Sequence, residues 1–406
     1  MIRKGVWHQF GDKSQTVALE QLQQGVGVGV IISPRDLKLE KAEERCTQYR
    51  TLGAEALLDW QFYIPDYTNK NIGTYSLDEF RNSVNTLNQV SQADLDTLSA
   101  TLEDHNRRLC TAAVVAPAVL YEANRPERFD LNRKLFEAAK RAGDALGIPT
   151  LATVALANSS IISPHSISEA LSHATGLPCD GWYYLFEFGE CRIPFERNEV
   201  LSCGSACLTL AANLKPVVHA YAGPMSLISF GFGATAAAIG HSQTLWQFDR
   251  SRWPLTPTEQ QGGPGEVAPR FFSGTLWGTI IYADEVIRLP HSLREQVMTH
   301  SPYSQLIEDP ATHGVVKWSP WEAGKHLVHV IGTEAAEMAA SSSARAAAQA
   351  AIAHLDQANG LFESIAGVPV PLRQESQNFH QRAWRDVLHR MLNERGDDYD
   401  LLEMMS

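Results

Sequence analysis

The pattern that most constrains this chain is an alternation of short apolar runs with longer amphipathic ones. Between residues 25 and 245 the apolar runs are "GVGVGVIIS" (25–33), "AEALLDWQFY" (54–63), "CTAAVVAPAVL" (110–120), "IPTLATVALA" (148–157), "GWYYLFEF" (181–188), "KPVVHAYAG" (215–223) and "ATAAAIG" (234–240). Strands that are apolar nearly throughout are buried on both faces, as in parallel sheets covered by helices. The intervening runs read as helices. Residues 34–53 start near Pro34 and stop at Gly53; residues 76–90 and 91–109 follow, the second with Ser91 and Asp94 at capping-box spacing; then come 125–147, 163–176, 206–214 and the short 224–233. An open doubly wound sheet and a closed (β/α)8 barrel both fit this order. No GxGxxG follows the first strand, and the repeating part is close to the ~250 residues of a barrel. The expected fold is therefore α/β, a (β/α)8 TIM-like barrel with a C-terminal helical extension. An eighth strand is expected near 5–9, near 198–203, or inside "TLWGTIIYADEV" (275–286).

The expected organisation is a barrel over 1–250, a loop-rich connection over 251–317 containing a Pro/Gly-rich stretch at 250–268, and a helical region over 318–406 packed on the barrel. Residues 318–367 read as one long or broken Ala-rich helix and 377–396 as another, before an acidic end, "DDYDLLEMMS", expected to fray.

Composition narrows the function classes. The 406 residues are 44% hydrophobic and 20% charged, typical of a globular chain. No apolar run approaches the ~20 residues of a membrane span, and "MIRKGVWHQFGDK" has no signal-peptide core, so a cytoplasmic location without membrane contact is expected. A net charge of −12 opposes nucleic acid, which would enter only with a partner supplying basic surface. The six cysteines do not form a disulfide framework. Cys203 and Cys207 share a helical face without a CxxC pair, and neither metal nor cofactor is expected.

Active sites of barrels lie where strands run into the following loops. The residues there are Asp59, Gln61 and Tyr63, Asn158 and Ser159, Glu187 and Glu190, His219 and Tyr221, and His241. Asp59, an acid closing a buried strand, is the leading candidate for a general base or nucleophile, against a reading as a loop cap. Glu187, His219 and Tyr221 are the candidate assistants. Of Glu187 and Phe188 only one can face inward, and a buried His satisfied by its neighbours is the plainer reading of His219. The stretch "HAYAGPMSLISFGFGATAAAIGH" offers Gly223, Ser226 and Gly240 as an anion-holding loop at the last two strands, against a reading of these glycines as tight-turn formers. Trp60, Phe62, Tyr63, Trp182, Tyr183 and Tyr221 are candidates to stack on a flat ring or to fill the core.

"GVGVGVIISPRDL" with "LGAEALLDWQFY" resembles the first two strands of the tRNA-guanine transglycosylase superfamily. "KPVVHAYAGPMSL" with "GFGATAAAIGHSQT" resembles its last two, and "WEAGKHLVHVIGTEAAEMA" with "HLDQANGLFESI" its helical extension. The resemblance implies a barrel acting on a nucleobase, nucleotide or other glycosyl-type substrate. The chain departs from it at three places. The last strand, "ATAAAIG", lacks the family's nucleophilic Asp, "VVAPAVLYE" stands where Asp-Ser-Gly-Gly is expected, and only "THGVVKW" stands where the zinc cysteines belong. Three functions therefore remain: an enzyme for a small-molecule or nucleotide-type substrate, an inactive barrel that binds protein partners through its C-terminal helices, and a nucleic-acid-modifying protein whose partner supplies the basic surface.

Overall fold

The computed structural model describes residues 2–11, 13–63, 71–76, 90–122, 125, 127–158, 164–189, 193–250, 269–308 and 318–405. Eight parallel strands carry the fold: β1 (Gly5–Gln9), β2 (Gly29–Ile32), β3 (Glu55–Leu58), β4 (Val114–Val115), β5 (Thr150–Leu156), β6 (Gly181–Phe186), β7 (Val217–His219) and β8 (Ala236–Ile239). The sheet runs β3-β2-β1-β8-β7-β6-β5-β4, with Trp7 of β1 opposite Ala238 of β8. Its two ends meet where the Ala112 N–H donates to the Ala56 carbonyl at 2.9 Å, so the strands form a nearly closed (β/α)8 barrel. The eighth strand is Gly5–Gln9. The other two positions are otherwise occupied, residues 197–211 by a helix and Gly278–Ile281 by a separate antiparallel hairpin.

The apolar strands separate into two buried sets by their period of two. Trp7, Ile31, Leu57, Tyr183, Leu185, Val218, Ala236 and Ala238 pack inside the barrel. Val6, Val30, Ala56, Leu58, Trp182, Tyr184, Val217 and Ala237 pack outward against the helices. The Trp7 ring fits inside because a residue without a side chain faces it. A Cβ on Gly29 would lie 2.5 Å from the Trp7 ring.

Among the described residues, six barrel helices of ten residues or more cover the sheet: α1 (Ser14–Gln23), α2 (Leu39–Thr51), α3 (Gln92–Leu109), α4 (Glu127–Leu146), α5 (Pro164–Thr175) and α6 (Arg197–Ala211). Ser91 and Asp94 cap α3 reciprocally, satisfying donors that a helix start leaves without partners. Residues 77–89, read from the sequence as a helix, lie outside the described residues. The strands β9 (Arg270–Ser273) and β10 (Gly278–Ile281) form the hairpin that precedes the C-terminal helices. Those helices are α7 (Pro320–Ala339), α8 (Ala344–Ala366), α9 (Phe379–Glu394) and α10 (Gly396–Met405). The Ala-rich run is thus broken in two, and Ser343 caps the second half by accepting from the Ala346 N–H. Helix α7 lies directly on the barrel: Cβ atoms on Gly324 and Gly332 would lie 2.8 Å from the His241 carbonyl and 2.4 Å from Val26.

The acidic end does not fray. Tyr399 of α10 is fully buried, donates to the Gly231 carbonyl at 2.8 Å and lies under Arg345. One buried aromatic anchor outweighs the charged composition around it, since burying such a ring stabilises by roughly 1.5–3 kcal/mol. Among the described residues no helix is long and apolar enough to cross a membrane.

Candidate active site

Strand β3 ends at Leu58, and the alternation that points Leu57 inward also points Asp59 inward, at the rim of the barrel. Asp59 is 2% exposed. Its Oδ2 accepts from the Tyr63 hydroxyl at 2.6 Å and the Tyr183 hydroxyl at 2.9 Å, and its Oδ1 accepts from the Gln61 N–H at 3.1 Å. Burial penalises the ionised form and pushes the carboxyl up to about 6; the hydrogen bonds from Tyr63, Tyr183, Gln61 and Tyr221 oppose that rise without cancelling it. Burial, with the nearby carboxylate, likewise pushes the Tyr63, Tyr183 and Tyr221 phenols up, so all three are neutral at rest.

From this carboxyl a hydrogen-bonded path leads outward. The Tyr63 and Tyr221 hydroxyls are 3.1 Å apart. Tyr63 has one proton, and its shorter bond spends that proton on Asp59, so Tyr221 is the donor between the two tyrosines. The Tyr221 oxygen in turn accepts from Gln61 Nε2 at 2.9 Å, and Ser33 fixes the Gln61 amide by donating to its Oε1 at 2.9 Å. Gln61 and Tyr221 line a cavity of about 340 Å³ whose other walls include Lys13, Arg35, His241 and Trp321. Asp59 does not line the cavity; it lies beneath it.

What seals Asp59 is the segment after β8. The backbone of Trp246 crosses Gly223, where a Cβ would be 2.4 Å from Trp246 Cα; φ of Gly223 is +50°, a second reason for glycine. A Cβ on Gly240 would lie 2.3 Å from the Leu245 Cβ. Phe248 then covers the tyrosines, 4.9 Å from the Tyr63 ring and 5.8 Å from the Tyr221 ring. Arg250 anchors the far end on Glu187 and Glu122 at 2.6 and 2.5 Å.

The structure therefore gathers Asp59, Gln61, Tyr63 and Tyr221, and places His241 in the wall of the same cavity, with its Nδ1 3.0 Å from the Ser14 hydroxyl. Glu187 is elsewhere: it accepts from the Asn158 N–H at 2.8 Å and pairs with Arg250, tying two strand ends to the covering segment. His219 faces outward from β7, its Nδ1 2.8 Å from the Ser229 hydroxyl and its Nε2 3.8 Å from Cys203. That trio has the members of a nucleophilic site but not the electrostatics. Burial lowers His219 to about 3 and raises Cys203 to about 12, so neither ionises near neutrality. Gly223 and Gly240 give space to the covering segment, and Ser226 is fully buried. Ser159 and Glu190 lie outside the described residues. Of the six aromatics named as stacking candidates, only Tyr221 lines the cavity; Trp60, Phe62 and Trp182 fill the core outside the barrel.

Lys13, Arg35, Trp321 and Gln9 were not singled out from sequence, and Tyr183 was named only as a stacking or core aromatic. Tyr183 carried a signal, since it shares inward parity with Leu185 on β6. Gln9 is 1% exposed at the end of β1, and among the described residues neither polar atom of its amide reaches a partner at hydrogen-bonding distance, although it stands close enough to Tyr183 to act on that phenol. Trp321 carried none, because it reaches the cavity from the C-terminal extension. Among the described residues, no three His, Cys, Asp or Glu side chains gather as metal ligands would.

No protein-family model matches the chain, and comparison with curated proteins gives no match. Among solved structures, D-psicose 3-epimerase from Clostridium cellulolyticum H10, determined with D-tagatose, is matched at 9% identity over 59% of this chain and 84% of that one, with a TM-score of 0.33. A likeness of that degree carries no argument, and the barrel rests on the strand pairing above.

Proposed function

We propose that the chain is a barrel enzyme that moves a proton on a small molecule of the nucleobase, nucleotide or other glycosyl-type class. Tyr221 meets the substrate, and Asp59 receives the proton. One observation carries this reading: the unbroken hydrogen-bonded path from the cavity floor at Tyr221, through Tyr63, to a buried carboxyl raised to about 6. As the Tyr221 oxygen takes a proton from the substrate, its own proton passes to Tyr63 and the Tyr63 proton passes to Asp59. The substrate has then lost one proton and Asp59 has gained one, with no charge left on either tyrosine. Gln61 Nε2 holds the Tyr221 oxygen throughout. A base with pKa near 6 suits this task at neutral pH.

Backbone conformation supports the same place. Lys13, Gln61 and Tyr221, all lining the cavity, have φ of 59°, 56° and 50°, a region that costs non-glycine residues roughly 1 kcal/mol or more and clusters at functional sites. Of the tRNA-guanine transglycosylase-like expectation, the reading keeps a nucleobase-sized substrate in a barrel with C-terminal helices. It does not keep a covalent intermediate on Asp59, since both of that residue's oxygens accept hydrogen bonds beneath the cavity wall.

The test is solvent-proton exchange. The protein is incubated in deuterated water with nucleobases, nucleosides, nucleotides and sugar phosphates, and incorporation into each is followed by mass spectrometry. Incorporation into one class, lost in both Tyr221→Phe and Asp59→Asn, supports the reading. Equal incorporation in the variants, or none into any member of the panel, rejects it. The second reading, a non-catalytic barrel that docks a protein through its C-terminal helices, draws on one exposed aromatic pair, Phe195 and Phe379, with ring centroids 6.2 Å apart.

A further inference from the structure

The charges around the cavity are lopsided. Among the described residues, two cations line it, Lys13 from the turn after β1 and Arg35 from the loop after β2, against one acid, Asp36, which is already paired with Arg35 at 3.7 Å. Counting Lys, Arg, Asp and Glu, the described lining is net positive, in a chain whose net charge is −12. Lys13 makes no ion pair with any described residue and is exposed. It also occupies the cap position of α1 in a left-handed conformation, so the positive end of that helix dipole adds to the same wall. The hydroxyls of Ser242 and Thr244 supply neutral donors, and the half-buried Trp321 supplies an apolar wall of ring size.

We infer that this cavity takes a ligand bearing a phosphate monoester, held by Lys13 and Arg35 at the start of α1, with the body of the ligand lying between Trp321 and the Tyr221 floor. This places the anion on the β1–β2 side of the mouth. The glycine-rich loop after β7, which the sequence pointed to, is filled by Trp246. The inference deepens the proposed function by naming the anchoring group of the substrate, and it rests on this cavity being the substrate site. It does not depend on the proton path.

Calorimetric titration of the full chain at low ionic strength tests it, using guanosine 5′-monophosphate against guanosine and ribose 5-phosphate against ribose. The phosphorylated member of at least one pair is expected to bind at least roughly tenfold more tightly, as charge-assisted hydrogen bonds to phosphate would give. Lys13→Gln and Arg35→Gln should each remove most of that ratio. Equal affinities within both pairs, no binding by either phosphorylated probe, or a ratio unchanged by both cation variants would overturn the inference. If the ratio persists while Asp59→Asn retains full turnover, the proton path fails and the anion site stands. If the ratio is absent while Asp59→Asn and Tyr221→Phe abolish exchange, the reverse holds.

Discussion

The Tyr63 hydroxyl bonds Asp59 Oδ2 at 2.6 Å and lies 3.1 Å from the Tyr221 hydroxyl, so a carboxyl sealed from solvent and a phenol facing a cavity are joined through a single intervening group. The barrel makes this possible by bringing residues 158 positions apart in sequence onto one rim. The covering segment keeps water from short-circuiting the path, which is what allows Asp59 to stay well above the ordinary carboxylate range.

Asp59→Asn should abolish turnover while leaving the fold intact, and its effect on stability should depend on pH. The folded-state pKa of Asp59 is raised from 3.8 to about 6, so its stabilising contribution is complete below about 4 and is lost as pH rises through 6. The cost of keeping the ionised form buried above that range is roughly 3 kcal/mol. Asn carries no such cost. Thermal melts from pH 4 to pH 8 should therefore show the variant gaining on wild type as pH rises. A constant difference across that range would mean that Asp59 does not titrate in the folded protein.

Tyr221→Phe removes the one group that links the path to the cavity. Proton transfer should fall by roughly 10²–10⁴-fold, the usual worth of a positioned acid or base. Gln61 Nε2 loses its acceptor, so a stability loss of about 1–3 kcal/mol is expected beside the kinetic one. Steady-state rates with denaturant melts separate the two effects: a rate unchanged from wild type would remove Tyr221 from the mechanism.

Acid should unfold the protein through its histidines, against the trend that Asp59 sets. His8, His326 and His380 are buried neutral and lowered to about 4, and His219 to about 3, each chiefly by burial. A lowered histidine contributes stability that is present above about 6.5 and lost as pH falls toward the folded value. Four such groups outweigh one raised carboxyl, so stability should decline between pH 6.5 and pH 4. His8→Gln, whose amide can still donate to the Val26 carbonyl that His8 meets at 2.9 Å, should flatten the decline. A melting temperature constant from pH 7 to pH 4 would contradict this.

The sequence carried the barrel because strands buried on both faces must be apolar throughout, and that periodicity is local. Asp59 was legible for the same reason: a carboxyl ending such a run has few ordinary explanations. Its partners were less so. Tyr63 and Tyr183 looked like core aromatics, and their hydroxyls matter only because the closed barrel aims them at one oxygen. Glu187 had the parity of an inward residue, but its role is set by Arg250, 63 positions away, which no spacing rule connects to it. Trp321 reaches the site from a helix beyond the barrel, packed through Gly324 against the His241 carbonyl, a tertiary contact with no local signature.

Arg250 tests the covering segment directly. Its guanidinium holds Glu187 Oε1 at 2.6 Å and Glu122 Oε1 at 2.5 Å, and Glu187 is 5% exposed. Arg250→Met keeps the apolar stem but leaves a buried carboxylate without its cation, a change that typically costs about 3–5 kcal/mol. Part of that cost is avoidable if the segment lifts and Glu187 rehydrates. Lifting would admit water to Tyr63 and Asp59 and return the carboxyl toward 3.8. The variant should therefore lose stability and also move the acid limb of the pH–rate profile downward from about 6. The double variant Arg250→Met with Glu187→Gln has no buried charge to expose and should recover both. A stability loss with the pH–rate profile unmoved would show that Arg250 fixes only the strand ends and that the seal over Asp59 is held by Phe248 and Trp246 alone.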